Sequence, residues 1–107
     1  MSPPSAFDSP LHSSLEDDPD LEELVALYIE EMPGRIECVL GRAAAGDFDA
    51  LAAIAHQLRG SAGSHGFHQL TGVAADVERA IRDCRPETEI AAALDALVEL
   101  CRRVCHR

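Results

Sequence analysis

One histidine, His56, stands out in this sequence because the residues around it have almost no side chains. The alanine-rich run at 51–55 predicts a helix that continues to about His65. At about 100° per residue, His56 lies about 140° around that helix from the apolar Leu51, so its imidazole is expected to face solvent. The neighbours on this face within two turns are small, apart from one guanidinium: Ala52, Ala53, Arg59, Gly60 and Gly63.

An exposed and uncrowded imidazole is suited to nucleophilic chemistry. In its neutral form it can attack phosphorus and hold a phosphoryl group in an N–P bond, and Arg59 could then contact the phosphoryl oxygens. Gly60 and Gly63 each cost about 1 kcal/mol relative to alanine inside a helix. Either the helix ends near Gly60, or a partner's active site approaches this backbone closely. The second interpretation is favoured, and the predicted partner contacts are Ala52, Ala53, Gly60 and Gly63.

Metal binding has weak support. His65 and His68 are three residues apart and Cys101 and Cys105 are four apart, and residues so spaced on a helix can share a tetrahedral zinc. However, His65 and Cys101 lie on predicted core faces, and the spacing matches no zinc module. The Glu-x-x-His of di-iron bundles and the H-E-x-x-H of zinc proteases are both missing. We predict no metal site and no cofactor.

Independent enzyme activity also has weak support. The sequence contains arginine but no lysine. P-loop and Schiff-base chemistry both require lysine. Ser61 and Ser64 lie near His56 in the sequence, but the G-x-S-x-G turn of serine hydrolases is missing. We therefore predict that the chain is not an enzyme.

Composition disfavours several classes of partner. The net charge of −10 argues against nucleic acid and anionic membrane surfaces, and no apolar run is long enough to cross a bilayer. The sequence shows neither a signal peptide nor a C-x-x-C pair, so we expect a cytoplasmic, monomeric protein with free thiols. The cysteines are expected to pack as small core residues, with Cys105 the most exposed.

The apolar pattern predicts an all-α fold. Residues 1–17, rich in serine and proline, are expected to be a disordered tail or linker, and residues 18–107 a helical bundle. A first helix starts at an acidic N-cap, Asp18, followed by Pro19, and Pro33-Gly34 marks a break or a kink. Short connections between the later helices predict an up-down-up-down four-helix bundle with that first helix as an N-terminal addition. The four later helices end near Gly46, His65, Cys84 and Cys105. Asp47 is expected to cap the helix that carries His56, and Gly66 is expected to stop it.

Helix 68–84 is amphipathic in this prediction. Its inward stripe runs from Leu70 to Cys84, with apolar residues at helical spacing. Glu78 and Arg82 are four residues apart and are expected to form an ion pair on the outward side.

The stretch from Ala55 to Gly66 (AHQLRGSAGSHG) resembles the signature of the histidine-containing phosphotransfer domains, known as HPt domains, which reads roughly A-H-x-L-K-G-S-a-x-x-h-G. The sequence is also similar to that family at 30–33 (EEMP), at 45–48 (AGDF) and along 70–80. The resemblance extends from about Asp18 to Cys105.

The resemblance implies a role for each matching residue. His56 would be the phosphoacceptor, bonded through Nε2, and Arg59 stands where the family has lysine. Gly60 would give room at the phosphorylation site, and Gly63 would do the same one turn on. Domains of this kind relay a phosphoryl group between receiver-domain aspartates in multistep two-component pathways. The implied partners are the receiver domains of response regulators or hybrid histidine kinases, and Mg²⁺ would belong to the receiver.

Two residues depart from the family pattern. Arg59 keeps the positive charge of the lysine, but its guanidinium is planar and spreads the charge over several donors, whereas the ammonium of lysine is compact. His65 replaces a bulky apolar residue, and we expect it to be semi-buried and hydrogen-bonded near the end of its helix. Two other functions stay open on the residues alone: a module that docks a receiver or kinase without carrying phosphate, and a metal-binding bundle.

Overall fold

The computed structural model describes residues 11–15 and 17–104. This part of the chain contains four helices and no strand: α1 (Glu22–Ala44), α2 (Phe48–Ser64), α3 (His68–Arg82) and α4 (Glu87–Arg103). Short turns at 45–47, 65–67 and 83–86 make consecutive helices antiparallel neighbours, and α1 also packs against α4. The predicted all-helical bundle is confirmed. No helix within the described ranges has the length and apolar character needed to span a membrane.

The additional N-terminal helix predicted before Pro33 is wrong, because α1 is continuous through that proline. Proline removes one N–H and its ring presses on the preceding turn, at a cost of about 3 kcal/mol. Buried side chains on both sides nevertheless lie on one stripe: Val25, Tyr28 and Met32 before the proline and Val39 after it. Burying each contributes about 1.5–3 kcal/mol, so the core holds both halves in one helix.

Two aspartates predicted as N-caps differ in their outcome. Asp47 caps α2 as predicted, with Oδ1 accepting from the Ala50 amide at 3.2 Å. Asp18 does not cap a helix directly, since α1 begins at Glu22. Its Oδ1 accepts from the Asp20 amide at 2.9 Å and its carbonyl accepts from the Glu22 amide at 2.9 Å, so it shapes the turn that leads into α1.

Residues 11–15 pack across one end of the bundle, and we call them the N-terminal strap. Leu11 forms an isolated bridge with Val104, at the end of α4. Ser13 is buried, and its Oγ donates to the carbonyl of His65. The predicted disordered tail is therefore wrong for residues 11–15. Residues 1–10 and 16 lie outside the described residues.

Gly66 lies between α2 and the strap. Its φ of +83° is in the left-handed region, where glycine is favoured. The Ser14 amide donates to the Gly66 carbonyl at 2.9 Å. A Cβ at this position would lie 2.8 Å from Ser14 Oγ, 3.0 Å from Leu15 Cγ and closer still to the Ser13 hydroxyl. Both the turn and the strap therefore require glycine here.

We expect Gly66→Ala to lower the free energy of unfolding by about 2–3 kcal/mol, because the left-handed backbone costs about 1–2 kcal/mol and the strap would be overpacked. Gly46→Ala is the matched control. Gly46 also has a positive φ, +68°, but nothing lies within 4 Å of its Cβ position, so only the backbone cost of about 1 kcal/mol applies. Urea denaturation measures both; equal losses would show that the strap does not pack on Gly66.

Two of the cysteines predicted to be in the core are exposed instead. Cys38 and Cys84 are exposed, whereas Cys101 is buried as predicted. Burial raises the pKa of the Cys101 thiol to about 12, so this thiol is neutral at physiological pH. Cys105 lies outside the described residues. Cys84 is exposed because it occupies the turn after α3, with φ of 53°, where the chain leaves the helix.

We expect Cys84→Gly to raise the free energy of unfolding by about 0.5–1 kcal/mol. Cys84 is the position after the cap of α3, where helices usually place glycine, and a side chain there is strained by the left-handed backbone. Cys84→Ala keeps a Cβ and is the matched control, with no gain expected. Urea denaturation under reducing conditions distinguishes the two, and a gain shared by both variants would contradict the backbone explanation.

Candidate functional site

His56 lies in the middle of α2 and points away from the core. Its side chain is 54% exposed, as the helical wheel predicts. The opposite face of α2 buries Leu51, Ala55 and Leu58. The helix continues to Ser64, so Gly60 and Gly63 of the signature belong to a helix and not to a loop.

A buried carboxylate holds the inner side of the imidazole. His56 Nδ1 lies 2.9 Å from Oε2 of Glu78 on α3, whose side chain is only 4% exposed. Two guanidiniums contact the same carboxylate. Arg82 Nη2 lies 2.6 Å from Oε2, and Arg59 Nη1 lies 3.3 Å from Oε1. Since a buried carboxylate is costly unless it is paired and hydrogen-bonded, these three partners are what allow Glu78 to lie inside the bundle.

Arg59 has the loosest contact of the three. Its side chain is 44% exposed. Its ion pair with Oε1 lacks hydrogen-bond geometry, because within the described part of the chain Oε1 accepts no hydrogen bond. Of the three partners, Arg59 therefore makes the weakest contact with Glu78, and it is the one that another anion can draw away most readily.

The contacts of Nδ1 indicate which nitrogen of His56 carries the proton. A carboxylate only accepts, so Nδ1 donates its N–H to Glu78 at 2.9 Å. Arg59 Nη2 lies 3.5 Å from the same nitrogen, but a guanidinium only donates, so both hydrogen bonds cannot exist in one tautomer. The shorter, charge-assisted one prevails. Nε2 then keeps its lone pair, and no residue in the described ranges bonds to it.

Small residues bring α2 and α3 close enough for these contacts. Ala62 on α2 and Ala74 on α3 are fully buried. Thr71 Oγ1 on α3 donates to the Arg59 carbonyl at 3.1 Å. A Cβ on Gly63 would lie 3.2 Å from that same Oγ1. The close packing of α3 therefore accounts for glycine at position 63, and the approach of a partner is not needed to explain it.

The other predicted partner contacts differ in exposure. Ala53 and Gly60 are exposed, whereas Ala52 is partly buried. Nothing lies within 4 Å of a Cβ built on Gly60. Within this structure, therefore, no contact accounts for glycine at position 60, in the middle of α2.

The model of the Hpt domain family matches residues 23–106. The chain belongs to the Hpt domain family. Domains of this family are helical bundles that carry out histidine phosphotransfer in two-component signalling and interact with receiver domains. No curated protein and no solved structure matches the chain.

Two residues of this Hpt domain's site, Glu78 and Arg82, were not predicted from the sequence as site residues. The ion pair between them is confirmed, but the outward position of Glu78 is wrong. Glu78 lies only about 40° around α3 from the buried Ala74, one turn earlier. That angle places Glu78 beside the core stripe, and only its charge, which usually indicates exposure, argued against an inward position.

Two further polar residues of the Hpt signature, Ser61 and His65, face α1 and not His56. Ser61 Oγ lies 2.9 Å from Tyr28 Oη. His65 Nδ1 donates to the Ser61 carbonyl at 2.7 Å, and its ring stacks on Tyr28 with centroids 4.2 Å apart. His65 is thus semi-buried and hydrogen-bonded near the helix end, as expected. Burial raises the pKa of Tyr28, which keeps the phenol neutral.

The histidine and cysteine pairs considered above as metal ligands form no cluster within the described residues. No group of three or more His, Cys, Asp or Glu side chains in 11–15 and 17–104 could hold a metal ion. Cys105 and His106 lie outside those ranges.

Proposed function

We propose that this Hpt domain carries a phosphoryl group on Nε2 of His56, taking it from the aspartyl phosphate of one receiver domain and passing it to the aspartate of another. The observation that carries the proposal is the hydrogen bond from Nδ1 to Glu78. It fixes the tautomer whose lone pair is on the exposed Nε2, the nitrogen that a partner can reach.

The proposed step balances without an added acid or base. The Nε2 lone pair of His56 attacks phosphorus, an N–P bond forms, and the P–O bond of the aspartyl phosphate breaks to release the aspartate carboxylate. The Nδ1 proton stays in place, so positive charge develops on the ring. The Glu78 carboxylate, 2.9 Å from Nδ1, stabilises that charge in a partly dry site.

The surface around His56 suits the in-line approach that phosphoryl transfer needs. Ala53 and Gly60 are exposed and add almost no bulk, so the acidic pocket of a receiver can close over the ring. Arg59, whose contact with Glu78 is loose, can turn to the phosphoryl oxygens as the group arrives. Mg²⁺ belongs to the receiver in this proposal, and the chain itself needs no cofactor. We propose that it works as a monomer in the cytoplasm, where it meets receivers of response regulators or hybrid kinases.

Label transfer from receivers tests the proposal. The chain is incubated with radiolabelled, phosphorylated receiver domains and Mg²⁺, and the label on the chain is then exposed to acid and to alkali. A phosphohistidine is lost in acid and survives alkali, and this is the expected result. Label that is stable in acid would contradict the proposal. So would receivers that bind the chain without transferring label, because that result identifies a docking module.

A further inference from the structure

A groove of about 310 Å³ runs between α1 and α2, on the side of α2 away from α3. Ile54 and Leu58 line it with apolar surface, and Arg35, Cys38, Gln57 and Ser61 line it with polar groups. At about 100° per residue, Ala53 and Gly60 lie between His56 and Gln57 around α2. A protein that covers Ala53 and Gly60 therefore has His56 on one flank and this groove on the other.

Arg35 has an incomplete set of partners in this groove. Its guanidinium lies over the Tyr28 ring, with Cζ 4.5 Å from the centroid. Its Nη2 lies 3.6 Å from Oε2 of Glu31 in an i,i+4 ion pair. Its Nη1 is buried and has no hydrogen-bond acceptor among the residues that the structure describes. A buried donor without an acceptor is destabilising, most of all when it is charged, so this nitrogen calls for an explanation.

Nearby groups of the chain do not supply the missing acceptor. The Tyr28 hydroxyl is 2.9 Å from Ser61 Oγ, and Ser61 Oγ also lies 3.4 Å from the Leu58 carbonyl as a donor. Gln57 is exposed at the mouth of the groove, where its amide N–H can donate to an incoming oxygen. Arg35 and Gln57 thus place hydrogen-bond donors beside the apolar surface of Ile54 and Leu58. This arrangement suits a carboxylate on a short methylene chain, the chemistry of a glutamate side chain.

We propose that this groove binds a carboxylate side chain of the docked receiver domain and helps to select the receiver. The donors are the Gln57 amide and the guanidinium of Arg35, whose side chain is 32% exposed and turns to bring the buried Nη1 to the carboxylate. The inference rests on the proposed function for the identity of the partner, but the groove can be tested without any partner. A carboxylate is favoured over a phosphate because only one guanidinium faces the groove and Glu31 lies close by, which repels a dianion more strongly than a monoanion.

The first experiment uses sodium butyrate, a single carboxylate on a short methylene chain, as the probe in an NMR titration of the whole chain, against sodium chloride at equal ionic strength. We expect saturable shifts of the Gln57 side-chain amide and the Arg35 Nε–H signal, with a Kd in the millimolar range. Arg35→Met should abolish the Gln57 shifts. Arg42→Met is the matched control, since Arg42 lies on the same helix, pairs with Asp47 at 3.8 Å and does not line the groove. Shifts that sodium chloride reproduces, or that survive in Arg35→Met, would overturn the proposal.

Two further variants allow the result to be interpreted if Arg35→Met does not fold. Arg35→Lys retains the charge without the planar fork and should weaken butyrate binding about tenfold, which reports on the site even if Arg35→Met unfolds. His56→Gln should bind butyrate as well as the unaltered chain does. A failure of phosphotransfer, by contrast, leaves the butyrate result unchanged, so the two proposals fail separately.

A receiver that exchanges label with the chain allows the second experiment. Arg35→Met should raise the Kd for that receiver about tenfold and leave the transfer rate at saturation unchanged. Neutralising the receiver's matching carboxylate should make the Arg35→Met effect disappear, as a double-mutant cycle requires. A slower rate at saturation with an unchanged Kd would contradict a role in docking.

Discussion

His56→Gln is expected to abolish phosphoryl transfer and leave the fold intact. Glutamine fills a similar volume and can still donate an N–H to Glu78, but its amide has no nucleophilic lone pair comparable to that of imidazole. Since His56 is 54% exposed, its replacement removes little buried surface, and the free energy of unfolding should change by less than about 0.5 kcal/mol. Label transfer from a phosphorylated receiver, followed on a denaturing gel, measures the loss.

The matched control for this variant is His68→Gln. His68 is also exposed and helical, at the start of α3, and its Nε2 contacts only Ser14 Oγ at 3.3 Å among the residues described. We expect His68→Gln to accept label at the rate of the unaltered chain. Label retained by His56→Gln, or lost equally in both variants, would show that His56 is not the acceptor.

Glu78→Ala is expected to slow phosphoryl transfer about 10- to 100-fold. Without the carboxylate, nothing holds the proton on Nδ1, so the ring loses both its orientation and its preferred tautomer. The charge that develops on the ring also loses its nearest anion. Rapid-quench measurement of the transfer rate at saturating receiver gives the size of the effect. Nitrogen-15 spectra of the imidazole should show the proton moving from Nδ1 toward Nε2, the nitrogen that carries it in most of the neutral rings when no acceptor holds Nδ1.

Two further variants separate the position of Glu78 from its charge. Glu78→Gln keeps an oxygen that can accept from Nδ1 but removes the negative charge, and we expect a loss of about 10-fold with the tautomer retained. Glu89→Ala is the control, because Glu89 is an exposed helical glutamate that pairs with Arg85 at 2.6 Å, and no effect on transfer is expected. A normal rate and a normal imidazole spectrum in Glu78→Ala would remove Glu78 from the site.

Much of the bundle could be predicted because its helices end where local chemistry dictates. Gly46 and Gly66, both with positive φ, were predicted as helix ends because glycine adopts that conformation without strain. The predicted break at Pro33 was wrong, since a local rule about proline was outweighed by burial on both sides. The stripe that runs through Tyr28, Met32 and Val39 was visible in the sequence, but local reasoning gave it too little weight.

The candidate site could be predicted only in its exposed half. The exposure of His56 follows from the phase of a single helix, which the sequence contains. Its contact with Glu78 depends on how α3 is rotated against α2, and that rotation is determined by close approaches such as Thr71 against Gly63. Contacts between helices of this kind do not follow from the periodicity of either helix alone. The strap could not be predicted for the same reason, because Ser13 is buried only by its long-range contact with His65.

The two guanidiniums that share one carboxylate give the site a charge that depends on whether it is loaded. Arg59, Arg82 and Glu78 together carry a formal charge of about +1, which attracts the acidic pocket of a receiver. In the proposed mechanism the transferred group brings a net charge of about −1, because the phosphoryl oxygens carry roughly −2 and the ring, which keeps its Nδ1 proton, becomes cationic. The local charge therefore falls from about +1 to about zero when His56 is phosphorylated, so an empty domain and a loaded one present different charges on the same surface. The ionic-strength dependence of receiver binding should differ in slope between the two forms. A receiver can therefore distinguish an empty domain from a loaded one before phosphoryl transfer begins.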